Sequence, residues 1–259
     1  MPPEVVIAVV SAGVAIACAL VSAIATHRTT IEIQTLQQEA RQHTKLELAE
    51  ERFRLYREPL LWSAQSLQSR LYNGIGRGFL SRFLRHGLPE EQRYARDNTV
   101  FVLAEYLGWL EIIRRDHRLW DRKALASIEP LFEMIGRTSH ILATEELKGP
   151  FRLFRGQQRA IGELMLIRNE SSQNGALEVI GYAAFCDKLD DDPRFAKWFD
   201  QLRTEVATIE SAGLEGNQRL IKLQSALIDL IKLLDPSGGP LAVVEQRRIP
   251  TTRESPVDL

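Results

Sequence analysis

Apolar residues form one uninterrupted stretch near the start of the chain. Residues 5–26 read VVIAVVSAGVAIACALVSAIAT, which is 22 positions without a charged side chain. A helix rises about 1.5 Å per residue, so a helix of this length spans roughly 30 Å, the thickness of the hydrocarbon core of a bilayer. The pattern therefore predicts a transmembrane helix within residues 1–26.

The residues on either side of this stretch bear on its processing and its orientation. A cleaved signal peptide is the alternative, because residues 23–25, AIA, resemble a cleavage site. Residues 1–4 contain no basic side chain, whereas a secretory leader begins with one, and this favours an uncleaved anchor. Arg28, Arg41 and Lys45 follow the stretch. By the positive-inside rule we expect localisation in the cell membrane, with the N-terminus outside and the C-terminal part in the cytoplasm.

Small residues recur at every fourth position within the apolar stretch. Ser11, Ala15, Ala19 and Ala23 share one face of the predicted helix. Such a stripe lets two helices approach closely in a membrane, so it indicates a homo-oligomer. A stretch this rich in alanine and valine also produces such stripes by chance, and both interpretations stay open.

Beyond the stretch, apolar residues recur at spacings of three and four, which predicts helices along most of the chain. Residues 27–58 are rich in strong helix formers and predict a helical stalk. Pro59 and the glycine-rich residues 73–78 are expected to bound the next helix. The further predicted helices cover residues 60–72, 90–117, 121–144, 150–168, 192–211 and 220–234. Residues 177–188 fit either a helix or a strand.

One predicted helix is apolar almost all round. Between Thr99 and Ile113 only Glu105 and Glu111 are charged, which is typical of a helix buried on every side. At about 15 residues this segment is too short to cross a bilayer. We therefore expect it to be the central helix of a bundle.

These patterns together predict an all-α protein. The expected parts are an N-terminal transmembrane anchor (1–26), a helical stalk (27–58), an irregular cytoplasmic helical bundle (59–235) and a polar, proline-containing tail expected to be disordered (236–259). Strand-like alternation recurs nowhere in the sequence, which argues against a parallel sheet with a nucleotide site.

Composition and charge narrow the classes of function. A net charge of -1 excludes a general nucleic-acid binder held by bulk electrostatics. Two cysteines exclude a disulfide scaffold, and the five histidines lack metal-ligand spacing, so we expect no metal and no cofactor. Residues 27–88 carry ten basic and six acidic side chains. This excess of positive charge lies nearest the predicted anchor and suits the anionic inner leaflet of a lipid bilayer.

Two groups of arginines are candidate anion or lipid contacts. In the first, Arg77, Arg82 and Arg85 alternate with the apolar residues of 79–84, as in a helix that lies flat on an anionic membrane. The alternative is a short helix that packs on the domain and turns its arginines to solvent.

In the second group, Arg152, Arg155 and Arg159 fall at positions i, i+3 and i+7 of a predicted helix. Their natural acidic partners are Glu105 and Glu111, in a structural ion-pair network that fixes helix register. The other interpretation is a cationic pocket for an anionic ligand.

Four segments carry a resemblance to known sequences. They are YREPLLWSAQSLQSRLYN (56–73), DNTVFVLAEYLGWLEIIRR (97–115), FRLFRGQQRAIGELM (151–165) and GYAAF (181–185). In these segments the chain resembles a family of uncharacterised bacterial proteins of similar length with one N-terminal membrane helix. The resemblance implies a bacterial single-pass membrane protein with a helical cytoplasmic domain, and it implies no activity.

No nucleophile, general base or set of metal ligands occurs in a known catalytic pattern. We therefore expect a non-enzymatic, membrane-tethered interaction or scaffold protein with a protein partner. The alternative is a membrane-surface sensor that binds an anionic lipid or metabolite through the two arginine groups. An enzyme of unfamiliar design is a third hypothesis.

Overall fold

A computed structural model describes residues 54–116, 129–168, 176–236 and 246–250, together with scattered positions before residue 54. The chain divides into two compact units, Met1–Glu51 and Arg52–Leu259. In the first unit the described positions from Ser22 onward are helical, and Ile33 and Leu36 are exposed.

Within the described part of the chain, no helix is both long enough and apolar enough to cross a membrane. The apolar stretch of residues 5–26 lies outside that part, apart from Ser22. The stripe of small residues at positions 11, 15, 19 and 23 lies outside it as well.

The second unit is mostly helical, as the sequence predicts. Its longer helices are α1 (54–76), α2 (Pro89–Arg115), α3 (Glu129–Ala143), α4 (Arg155–Leu164), α5 (Tyr182–Asp191), α7 (Asp200–Ser211) and α9 (Gln218–Leu234). Three short helical turns are a π-helical turn (Ser81–Arg85), α6 (Pro193–Ala196) and α8 (Gly213–Gly216). Strands β1 (Leu166–Arg168) and β2 (Leu177–Val179) pair antiparallel, with Leu166 opposite Val179.

The central helix of the bundle is α2, as its apolar sequence predicts. It contacts α4, α5, α7, the π-helical turn and β2. Tyr106 is fully buried there, and its hydroxyl lies 2.9 Å from the hydroxyl of Thr138 on α3. Most side chains of α2 between Thr99 and Ile113 are thus buried against other elements of the unit.

The first described helix, α1, runs antiparallel to α2. Near one end of α1, the Tyr56 hydroxyl donates to Asp116 Oδ2 at 2.7 Å, and near the other, Arg70 donates to the Tyr94 hydroxyl at 3.1 Å. The predicted helix boundary at Pro59 is wrong, because α1 continues through it. A proline removes only one helix hydrogen bond, and burial of the apolar face of α1 offsets this loss.

The glycine-rich segment also differs from expectation. The helix does not break at residues 73 and 74 but runs on to residue 76. Gly78 has a φ of 66°, in the left-handed region that only glycine enters without strain. The chain therefore turns at Gly78, and the π-helical turn follows.

The last helix, α9, has the amphipathic face that its leucine spacing predicts, and a buried arginine lies on that face. Arg219 donates from Nη1 to the carbonyls of Ile141 and Leu142, at 2.7 and 3.2 Å, and from Nη2 to the carbonyl of Leu147, at 2.6 Å. The carbonyls of Ile141 and Leu142 lie in the last turn of α3, where carbonyls lack partners within the helix, and that of Leu147 lies in the segment that follows. Arg219 therefore caps α3 and ties it to α9.

Three other expectations were wrong in their bounds. The helix predicted over 150–168 begins only at Arg155, and its end is replaced by β1. The segment 177–188 contains both a strand, β2, and most of a helix, α5. The helix predicted over 192–211 divides into α6 and α7, although Asp192 caps α6 as expected by accepting the backbone N–H groups of Arg194 and Phe195.

Part of the segment expected to be a disordered tail packs on α9. Gln224 Nε2 donates to the carbonyl of Arg247 at 2.7 Å, and Arg248 Nη2 lies 2.8 Å from Asp229 Oδ1. Ile249 is buried. Residues 246–250 thus add to the surface of the bundle.

Candidate functional site

A pocket of about 410 Å³ lies among α2, α3 and α4. Its apolar walls come from α2 and α3 and comprise Leu107, Leu110, Ile113, Phe132 and Ile135. Three arginines also line it: Arg114 on α2, and the exposed Arg155 and Arg159 on α4. The volume lies within the range of small-molecule sites in proteins. We call this site the arginine pocket.

A glycine contact sets the distance between two of the helices that form the arginine pocket. A Cβ atom on Gly162 would lie 2.7 Å from the carbonyl oxygen of Leu107 and 2.9 Å from Cβ of Glu111. No other residue type fits at this distance without a shift of backbone. The absence of a side chain therefore lets α4 pack directly on α2.

Glu111 is a buried carboxylate at the base of this arrangement. It accepts hydrogen bonds from Arg114 Nε and Nη2, at 2.7 and 2.5 Å, and from Arg115 Nε at 2.6 Å. Burial raises the pKa of Glu111, but the hydrogen bonds from Arg114 and Arg115 together lower it by more than burial raises it. The pKa of Glu111 therefore lies below the ordinary value. Glu111 is therefore a structural anion that orients two arginines.

The two carboxylates beside the arginine pocket, Glu111 and Glu163, pair most closely with Arg114 and Arg115 of α2. Glu163 Oε1 lies 3.0 Å from Arg115 Nη2 and 3.8 Å from Arg159 Nη2. Within the described part of the chain, Arg155 and Arg159 thus have no close carboxylate partner.

The two arginines on α4, Arg155 and Arg159, are weakly paired. Within the described residues Arg155 forms no ion pair, and its Nη2 lies 3.5 Å from the carbonyl of Gly136, which is a long contact. Arg159 has only the 3.8 Å approach to Glu163. The first turn of α4 holds no acidic residue, and the positive end of the helix dipole adds to the potential there. Both arginines therefore retain donors for a ligand.

The structure brings together part of the second predicted arginine group. Arg155 and Arg159 line one pocket, but Arg152 precedes α4, so the expected i, i+3, i+7 spacing is not formed. Arg152 lies 3.6 Å from Glu145 and stacks over the ring of Phe154, with 5.4 Å between Cζ and the ring centroid.

The two glutamates proposed as partners differ from each other. Glu111 is ion-paired, but with arginines of its own helix rather than with the group at 152–159. Glu105 forms no ion pair among the described residues, so its expected pairing is wrong. Glu105 is half-buried, and burial raises its pKa above the ordinary value.

The first arginine group lies on the surface formed by the end of α1 and the π-helical turn. Arg77, Arg82 and Arg85 are exposed, whereas Leu80 between them is buried. Arg77 Nε donates to the Tyr72 hydroxyl at 3.1 Å, and Arg82 lies over the ring of Phe83. This is the arrangement of the alternative interpretation, a short helix that packs on the domain with arginines outward.

A second network, which the sequence analysis missed, joins α2 to α7. The buried carboxylate of Asp97 accepts from Arg96 Nε at 2.8 Å and from Arg203 Nε at 2.9 Å, and Arg93 Nε lies 3.6 Å away. Burial raises the pKa of Asp97, but the hydrogen bonds from Arg96 and Arg203 outweigh it and the net pKa lies below the ordinary value.

Arg114 and Arg115 were also missed as functional residues. Their spacing from Glu111, i+3 and i+4 on one helix, is itself the pattern of a helical ion pair and was a usable signal.

Comparisons with known proteins add no assignment: no protein-family model, no curated protein and no solved structure matches this chain. Among the described residues, no group of three or more His, Cys, Asp or Glu side chains is placed to hold a metal ion.

Proposed function

We propose that this protein is a membrane-tethered, non-enzymatic binding protein whose helical unit holds an anionic ligand in the arginine pocket. One observation carries the proposal: Arg155 and Arg159 line an apolar-walled pocket with donors to spare. Guanidinium groups bind carboxylate, sulfonate and phosphate oxygens through charge-assisted hydrogen bonds. This favours the sensor that the sequence offers as an alternative.

The chemistry of the pocket supports binding rather than catalysis. General acid–base catalysis needs a carboxyl group whose pKa lies near the working pH. Arg114 and Arg115 hold the pKa of Glu111, the pocket's carboxylate, below its ordinary value. The proposal therefore gives Glu111 the role of orienting Arg114, and gives no residue a chemical step.

The tether is the part of the proposal that comes from the sequence. The uncharged residues 5–26 have the length of a membrane span, and Arg28, Arg41 and Lys45 follow them. The resemblance to bacterial single-pass proteins supports the same arrangement. With the N-terminus outside, the helical unit lies in the cytoplasm, beside an anionic leaflet.

A scaffold that binds a protein partner is the second candidate. Leu55 and Trp62 lie seven residues apart on α1, which places them on one helix face, and both are more than half exposed. Aromatic side chains such as that of Trp62 are enriched at the centres of protein interfaces. Crosslinking of the full chain in native membranes tests this candidate: the proposal needs a heterologous partner whose yield falls in Trp62→Ala.

Isothermal titration of the full chain, held in nanodiscs of phosphatidylcholine, tests the leading proposal. The probe is naphthalene-2-sulfonate, an apolar anion without an alkyl chain. We expect the double variant Arg155→Gln/Arg159→Gln to bind at least about tenfold more weakly than wild type, because each charge-assisted hydrogen bond contributes about 1.5–3 kcal/mol. Added salt should also weaken binding.

A matched control removes the same charge elsewhere. Arg168 and Arg194 are exposed and lie outside the pocket, so Arg168→Gln/Arg194→Gln should bind the probe as wild type does. Equal affinity in the two double variants, or no binding by wild type, would contradict the proposal.

A further inference from the structure

The arginine pocket has both apolar and charged lining residues. Most lining residues of α2 and α3 are aliphatic or aromatic, whereas Arg155 and Arg159 come from α4 and Arg114 from the end of α2. A small hydrophilic anion would leave the apolar wall facing water. A purely apolar ligand would strip water from the guanidinium groups without replacing its hydrogen bonds, which is costly. A ligand that fits both surfaces has an apolar part and an anionic end.

The two weakly paired arginines restrict the anionic end. Among the described residues Arg155 forms no ion pair, and Arg159 has only the 3.8 Å approach to Glu163. A carboxylate or a sulfate ester brings one negative charge. A phosphate monoester carries about −1.5 to −2 at pH 7 and has three strong acceptor oxygens. Two guanidinium groups, each with paired N–H donors, match this head in charge and in hydrogen bonds.

The size of the pocket restricts the apolar part. A volume of about 410 Å³ with one continuous apolar wall lies near the lower end of ligand sites. It has one apolar face, shared by Leu110 and Phe132, and the α4 side opposite is charged. Such a site holds one chain rather than the two chains of a bilayer phospholipid.

We infer that the ligand of the arginine pocket is a single-chain amphiphile with a phosphate monoester head, such as an alkyl or acyl phosphate. The inference rests on the proposed function and names the ligand class for the same site. The head lies between Arg155 and Arg159, and the chain lies along the wall of α2 and α3.

Gly136 offers a way to test the chain without touching any charge. It lies on α3 and lines the pocket, and a Cβ atom added there would meet no atom within 4 Å. A larger side chain at this position grows into open space, and leucine favours a helix more than glycine does. Gly136→Leu therefore fills the pocket while it preserves the fold. Gly156 on α4 also faces open space but lies outside the pocket, so Gly156→Leu is the matched control.

The experiment is isothermal titration of the full chain in phosphatidylcholine nanodiscs, with empty nanodiscs as the blank. The probes are dodecyl phosphate, dodecyl sulfate, dodecanol and inorganic phosphate. The two dodecyl anions are kept below their critical micelle concentrations. We expect dodecyl phosphate to bind at least about tenfold more tightly than dodecyl sulfate and about a hundredfold more tightly than dodecanol or inorganic phosphate. Gly136→Leu should weaken dodecyl phosphate binding at least about tenfold, and Gly156→Leu should leave it unchanged.

The pH dependence of binding gives a second test of the phosphate head group. The second proton of a phosphate monoester leaves near pH 6, so the affinity for dodecyl phosphate should rise between pH 5 and pH 7.5, whereas that for dodecyl sulfate should stay nearly flat.

The outcomes distinguish failure of the inferred ligand class from failure of the proposed anion-binding function. Equal affinity for dodecyl sulfate and dodecyl phosphate overturns the phosphate head, and equal affinity for inorganic phosphate overturns the chain. Loss of dodecyl phosphate binding when the nanodiscs contain diacyl phosphatidate identifies a bilayer lipid as the ligand and overturns the single chain. Each of these results leaves the proposed function standing. If no anionic probe, naphthalene-2-sulfonate included, binds through Arg155 and Arg159, both proposals fail.

Discussion

Gly162 of α4 lies directly against the backbone of Leu107 in α2, where a Cβ atom would come within 2.7 Å of the carbonyl oxygen. Backbone cannot move aside as a flexible side chain can. We therefore expect Gly162→Ala to push the two helices apart and to lower the free energy of unfolding by about 1–3 kcal/mol, the usual cost of overpacking. Urea unfolding followed by circular dichroism measures this change.

The control for this variant lies on the same helix. Gly156 meets no atom within 4 Å, so Gly156→Ala should be neutral or should stabilise the fold by up to about 1 kcal/mol through helix propensity. If Gly162→Ala is as stable as Gly156→Ala, the close contact between α2 and α4 is not real.

We expect substitution of Arg219 to lower the free energy of unfolding strongly. Its guanidinium group supplies the hydrogen bonds of three backbone carbonyls near the end of α3, and it is 1% exposed. Arg219→Met fills a similar volume but removes this donor from the carbonyls of Ile141 and Leu147, at roughly 1–3 kcal/mol for each unsatisfied group. The carbonyl of Leu142 keeps the backbone N–H of Leu153. We expect a loss of about 3 kcal/mol or more in urea unfolding, against almost no change for the exposed Arg194→Met. A loss below about 1 kcal/mol would show that water or a rearranged α3 end satisfies the carbonyls.

We expect protonation of Asp97 to contribute to unfolding at acid pH. Its folded-state pKa lies below the ordinary value of 3.8, through hydrogen bonds from Arg96 and Arg203 that outweigh burial. Its contribution to stability is therefore fully present above pH 3.8 and is lost as the pH falls below that value, through the folded-state pKa. Asp97→Asn should be about 3 kcal/mol less stable than wild type at pH 7, and the difference should shrink below pH 3.8. Urea unfolding between pH 7 and pH 3 measures the difference, and a gap that stays constant with pH speaks against an ionised Asp97.

We expect Glu105 to affect the pH dependence of stability in the opposite direction. Burial raises its pKa above the ordinary value of 4.5, and no ion pair within the described residues offsets this. Its ionised form thus destabilises the fold at neutral pH, and the penalty disappears as the pH falls through the raised pKa toward 4.5. Glu105→Gln should raise the urea midpoint at pH 7 and leave it nearly unchanged at pH 4. Glu146→Gln, at an exposed position, should change neither, and a lower midpoint for Glu105→Gln at pH 7 would refute this account.

The sequence predicted those elements whose pattern is local. The even leucine spacing of α9 and the almost uncharged run in α2 each identify a buried helix, and Asp192 followed by a proline identifies the start of α6. In these places the spacing of residues within one helix decides the structure, so no knowledge of neighbouring helices was needed.

The elements that the sequence missed depend on tertiary contacts. Pro59 favours a helix boundary locally, but the buried face of α1 continues through it. Arg219 and Asp97 look like solvated charges in the sequence, and only the fold places α3 and α7 beside them. The sequence did contain one indication for Arg219, because this residue falls on the apolar face of α9, four residues before Leu223.

The candidate site shows the same division. Arg155 and Arg159 could be chosen from composition and spacing, and the structure places both on one pocket. The pocket itself requires the contact of Gly162 with α2 and the apolar wall of α3. None of these contacts between helices has a periodic signature in the sequence.

Amide hydrogen exchange of the full chain, with and without naphthalene-2-sulfonate, tests most directly whether the arginine pocket is a ligand site. If the account is right, the anion slows exchange in α4 and along α3, and it does not do so in Arg155→Gln/Arg159→Gln. Protection confined to the π-helical turn, or protection of α3 and α4 that persists in the double variant, would contradict it.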